Sequence, residues 1–127
     1  MIKRFMLGAL IGGLAAAVTV PKVLAHHGWA GQGSDQFELS GIVHTAVRLA
    51  GPHATMQIQD DAGQVWDITL APPNRTLRAG LTEEAIPVGA AVTVSGHRSG
   101  TTSRLEVKTE RVTYNGKNFD VYPDRIK

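Results

Sequence analysis

Residues 53–70, HATMQIQDDAGQVWDITL, decide the fold of this chain. Ala54, Met56 and Ile58 alternate with Thr55, Gln57 and Gln59, and after Asp60-Asp61-Ala62-Gly63 the alternation returns with Trp66, Ile68 and Leu70 on one face. A period of two sends successive side chains to opposite faces of a strand, and a short polar break containing Gly joins antiparallel neighbours. The stretch therefore reads as a hairpin with one apolar face.

The same pattern extends outward in both directions. Upstream, residues 37–48 place Leu39, Val43 and Val47 opposite Glu38, Ser40, His44 and Arg48, and Gly51-Pro52 breaks the run. Downstream of Pro72-Pro73, Asn74 is placed to cap a short helix through Leu77 and Ala79 that stops at Gly80, with Thr82-Glu83-Glu84 as a further helical turn. Residues 91–96 turn Val92 and Val94 inward as a fourth strand, and residues 103–113 form a fifth around Leu105, Val107 and Val112. The period slips between Val107 and Val112, which predicts a bulge there. Asn115-Gly116 is a strong turn signal before a short sixth strand at 119–122. Three strands, a helix and two more strands is the order of the OB-fold. The predicted class is mostly β: a five- to six-stranded OB-like barrel over residues 37–127, with its helix between strands three and four. Leu39, Val43, Met56, Ile58, Trp66, Val92 and Val94 are its predicted core.

Ahead of the barrel, Lys3 and Arg4 precede an uncharged apolar run at 5–20, FMLGALIGGLAAAVTV, and Pro21 ends any helix. The run is shorter than the roughly 20 residues that a membrane span needs. Val23-Leu24-Ala25 offers a β-branched residue at minus three and Ala at minus one, side chains that a signal peptidase accepts. Residues 1–25 thus read as a signal peptide cleaved after Ala25, and residues 26–36 (HHGWAGQGSDQ) as a flexible arm. Export to a bacterial periplasm is the natural expectation, with no membrane attachment after cleavage.

Removing Lys3, Arg4 and Lys22 changes the charge balance, because all 11 acidic residues lie downstream: 10 basic residues remain and the net charge becomes −1. That argues against a nucleic-acid partner, which calls for a basic face. The 102 residues left after Ala25 suffice for one domain. The absence of Cys leaves apolar burial to hold the fold and excludes thiolate chemistry.

Several motifs combine along the chain: His26-His27-Gly28-Trp29, Gly41 within Leu39-Ser40-Gly41-Ile42-Val43, Pro52-His53, and Trp66. Pro73-Asn74-Arg75-Thr76-Leu77-Arg78-Ala79-Gly80-Leu81 and Val92-Thr93-Val94-Ser95-Gly96-His97 complete the set. In these the chain resembles a family of small exported bacterial proteins of uncharacterised function, with a His-His-small-aromatic start after the signal. Gly51 stands where an Asn usually precedes the Pro-His pair, and residues 48–50 lack the common aromatic. The resemblance implies a fold and a compartment, but no activity.

The histidines carry the functional expectation. Cleavage after Ala25 gives His26 a free α-amino group beside its own imidazole, a bidentate chelate suited to Cu(II), with His27 adjacent. His53 opens strand two and His97 ends strand four, both with parity opposite to the inward residues. In an OB barrel the loops joining strands one and two and strands four and five are expected at the same end, so all four histidines are expected to converge. Each also has an ordinary explanation, as an unstructured arm, a turn residue or a polar strand end. His44, mid-strand on the polar face, reads as structural, and Met56 as core.

Other chemistry finds little support. Asp60-Asp61 and Glu83-Glu84 diverge rather than oppose one another, Ser34 and Ser95 lack a spaced base, and no phosphate-cradling loop precedes a helix. The predicted function is a non-catalytic periplasmic binding protein for a transition metal, copper favoured, with His26, His27, His53 and His97 as ligands. The alternative is an accessory subunit that docks on another periplasmic protein through Trp29.

Overall fold

The computed structural model describes residues 32–33, 35–101 and 103–126. The expected signal peptide and the first part of the arm, with His26, His27 and Trp29, lie outside the described residues.

Six strands and one short α-helix form the domain: β1 Phe37–Arg48, β2 Thr55–Gln59, β3 Val65–Thr69, α1 Pro73–Arg78, β4 Ala91–Arg98, β5 Glu106–Tyr114 and β6 Lys117–Asp120. The order across the sheet is β3-β2-β1-β4-β5-β6, and a parallel β3–β5 pairing closes the first five into an OB-like barrel. The 12-residue β1 serves both halves, pairing with β4 through Phe37–Ile42 and with β2 from Ile42 onward. Two register shifts after Val43 coil it. They also explain why Thr45 is exposed and bonds Gln57 while Val47 is buried.

Val43, Met56, Ile58, Trp66, Val92 and Val94 are buried as predicted, joined by Ile68, Val107 and Val112. Leu39 is half-buried and packs on the edge of this core. Trp66, 5 % exposed, stacks on Phe37 at a centroid distance of 5.6 Å, and the Arg98 guanidinium lies 4.9 Å from the Trp66 ring centroid. The Trp66 indole N–H donates to Asp60 Oδ2 at 2.9 Å, which ties the β2–β3 turn to the core.

The expected bulge lies in β5. Ser95 pairs with Arg111 but Gly96 pairs with Thr109, so Glu110 is the extra residue. Gly96 is required opposite it, because a Cβ there would collide with the Lys108 carbonyl.

Four local expectations need correction. Asn74 does not cap α1: Pro72 occupies that position without a side-chain cap, and Pro73, with its φ fixed near helical values, begins the helix. Thr82-Glu83-Glu84 is not helical but a turn, in which Ala85 N donates to Thr82 O, while Glu83 Oε2 accepts from the Leu49 amide at 2.9 Å. β5 begins at Glu106 rather than 103. β6 covers Lys117–Asp120 rather than 119–122, because Asn115 (φ 54°) and Gly116 (φ 79°) form a two-residue turn that starts the return strand at once.

Candidate functional site

On the outer face of β4 and β5 both ends of the described chain converge on one side chain. The bulge turns Glu110 outward, yet it is only 1 % exposed, because the arm and the C-terminal tail cover it. After β6 the tail folds back over β5, and the amides of Val121 and Tyr122 both donate to the Glu110 carbonyl, at 2.9 and 3.2 Å. The 3₁₀ turn Pro123–Arg125 follows and brings Arg125 Nε to 3.0 Å from Glu110 Oε2. From the other end, Gln36 Nε2 donates to Glu110 Oε1 at 3.2 Å.

His97 stands between these pieces. Its Nδ1 donates to the Gly33 carbonyl, which can only accept, at 2.9 Å, and its Nε2 lies 3.2 Å from Glu110 Oε2. The arm is fixed along the end of β4 by Gly33 N to Arg98 O at 2.7 Å and by a bridge between Gln32 and Ser99. Gln36, Ser95, His97, Glu110, Arg111, Asp124, Arg125 and Ile126 line a cavity of about 690 Å³. Arg111 on its wall is held by Asp120 through two hydrogen bonds, at 2.6 and 3.1 Å. That pairing raises the Arg111 pKa.

His53 sits elsewhere. Thr55 pairs with Thr69, Thr69 with Lys108 and Lys108 with His97, so β3 and β5 stand between the start of β2 and the His97 end of β4, while on its other side β2 is parted from β4 by β1 alone. Half-buried, His53 has a pKa below the ordinary imidazole value because burial disfavours its charged form and the Lys108 ammonium repels it. Lys108 is itself buried, its amine 5.7 Å from the Tyr122 ring centroid. Desolvation lowers its pKa against the pull of Glu106.

The premise that topology gathers these histidines does not hold. The loop carrying His53 leaves the C-terminal end of β1, where Arg48 pairs with Thr55. The loop after Arg98 sits at the N-terminal end of β1, where Phe37 pairs with Gly96. Strands antiparallel to β1 on either side necessarily turn at opposite ends of it. Among the described residues no three His, Cys, Asp or Glu side chains are grouped to hold a metal. A carbonyl on Nδ1 is the arrangement that orients a metal-binding imidazole, but here a carboxylate already paired with Arg125 faces Nε2. Glu110 and Arg125 were not singled out in the sequence; the slipped period around Glu110 was the one available signal. His44 is exposed on β1, as its parity implies.

Fold and site together define a small OB-like barrel whose described flanking segments, residues 32–36 and 121–126, are tied to its wall by a buried carboxylate. The chain belongs to a family of unknown function, DUF6152, whose model matches residues 14–107. No curated protein matches it.

Proposed function

We propose that this is an exported, non-catalytic binding protein that holds a transition metal, copper by preference, at the start of its processed chain. The α-amino group and imidazole of His26 with the imidazole of His27 are the ligands, and the barrel is their mount. The observation that supports this reading is the anchored arm. Four contacts fix residues 32–36 to β4, to Ser99 just beyond it and to β5, and six residues separate His26 from Gly33, a span of seven Cα steps that tethers the chelate within about 25 Å of Gly33. His97 and His53 drop out of the ligand set, the first engaged at both nitrogens and the second beside a Lys108 cation.

The test is copper titration of protein beginning at His26 against protein carrying one extra residue before it. The native terminus binds one equivalent and the extended form binds far more weakly, because the amine has left the chelate ring. Equal affinity in the two overturns the reading.

A second reading has its own support. Trp29 stands three positions before Gln32, so the anchoring of residues 32–36 also tethers it within about 11 Å of Gln32 on the barrel wall, for docking on another exported protein. Retention of that partner by a Trp29→Ala variant would overturn this alternative.

A further inference from the structure

The contacts at Glu110 satisfy a buried carboxylate with donors drawn from the arm and from the tail at once. Its Oε1 holds Gln36 of the arm, while its Oε2 holds Arg125 of the tail and faces His97, which in turn holds Gly33 of the arm. Its backbone carbonyl takes the two amides at which the tail turns back. The two described segments thus meet at Glu110, the arm through Gln36 and, by way of His97, through Gly33, and the tail through Arg125 and the amides of Val121 and Tyr122.

We propose that Glu110 is a clasp that couples the two ends, so that releasing the tail loosens the arm and releasing the arm loosens the tail. The coupling follows from a shared acceptor. Arg125 and Gln36 fix the carboxylate in one orientation from opposite oxygens, and losing either donor lets it rotate away from the other and from His97. A protein that grips the tail at Pro123–Arg125 therefore alters how the arm is presented, whatever the arm binds. The tail keeps a second attachment to α1, where Arg75 pairs with Asp124 at 3.2 Å and lies over Tyr122, so freeing Arg125 alone does not unfold it.

Residue-resolved hydrogen exchange on the exported protein tests the coupling, with the Ile58 and Ile68 amides as reporters of the barrel itself. In Arg125→Met, the Gly33 amide exchanges about tenfold faster, the factor expected for loss of one charge-assisted hydrogen bond, while Ile58 and Ile68 are unchanged. In Gln36→Ala, the Val121 and Tyr122 amides accelerate in the same way. Acceleration confined to the end that was mutated overturns the proposal. So does equal acceleration at Ile58 and Ile68, which would mean that the barrel as a whole had loosened.

Discussion

Arg125 Nε meets Glu110 Oε2 at 3.0 Å on a face of the barrel where that carboxylate has almost no contact with water. A buried carboxylate is tolerated only when its oxygens are matched by donors, and here three side chains from three segments converge on it. The cost of removing one member is then set by what the others lose.

Replacing Glu110 with Ala leaves His97 and Arg125 facing a void lined by polar groups. Urea denaturation followed by circular dichroism is expected to show a loss of roughly 2–4 kcal/mol, with Glu110→Gln retaining part of it. A loss under 1 kcal/mol would mean that water replaces the carboxylate without penalty.

Trp66→Ala empties the end of the core against Phe37 and removes the indole donor to Asp60, so it costs about 3–5 kcal/mol. Trp66→Phe keeps most of the burial but not the N–H, and falls about 1 kcal/mol below the native protein. Thermal melts of the two variants separate packing from the hydrogen bond.

Two groups with lowered pKa values make stability fall with acid. The pKa of His53 is lower in the folded chain than in the unfolded one, so near neutrality neither state is protonated and the residue has no effect. As pH falls below about 6.5 the unfolded chain takes up a proton that the folded chain resists, and stability declines until the folded pKa is passed. Asp60 is shifted down by hydrogen bonds from Trp66 and then from the Gln64 amide, so its contribution is present above the unfolded carboxylate value and disappears as pH falls through the folded one. His53→Gln should remove the first decline and leave the second, as read from denaturation midpoints between pH 7 and pH 3.

Gly116→Ala places a side chain at φ 79° in the β5–β6 turn and is expected to cost about 1 kcal/mol. The loss appears as a lower melting temperature with unchanged copper uptake.

With both nitrogens of His97 engaged by Gly33 and Glu110, His97→Ala is expected to lower stability while leaving copper affinity at the His26 terminus unchanged. Calorimetric titration beside a thermal melt distinguishes this from a ligand role, in which affinity would fall.

The amino-acid order by itself determined the strands, because alternation between apolar and polar residues is local and each strand carries its own record of which face is buried. Ala54 through Leu70 displays it without help from distant residues, and even the bulge was legible as a slip between Val107 and Val112. The helix start was misread because Asn74 is a good cap in isolation, whereas Pro73 beside it makes a better first turn. The tertiary structure alone decided the fate of His97 and Glu110. Parity placed His97 outside the core but said nothing of Gly33, 64 residues away, and no local pattern marks an acid as buried when its donors lie 74 residues upstream and 15 downstream. Burial of a charge depends on which donors arrive in space, and only barrel closure and the return of the tail bring them there.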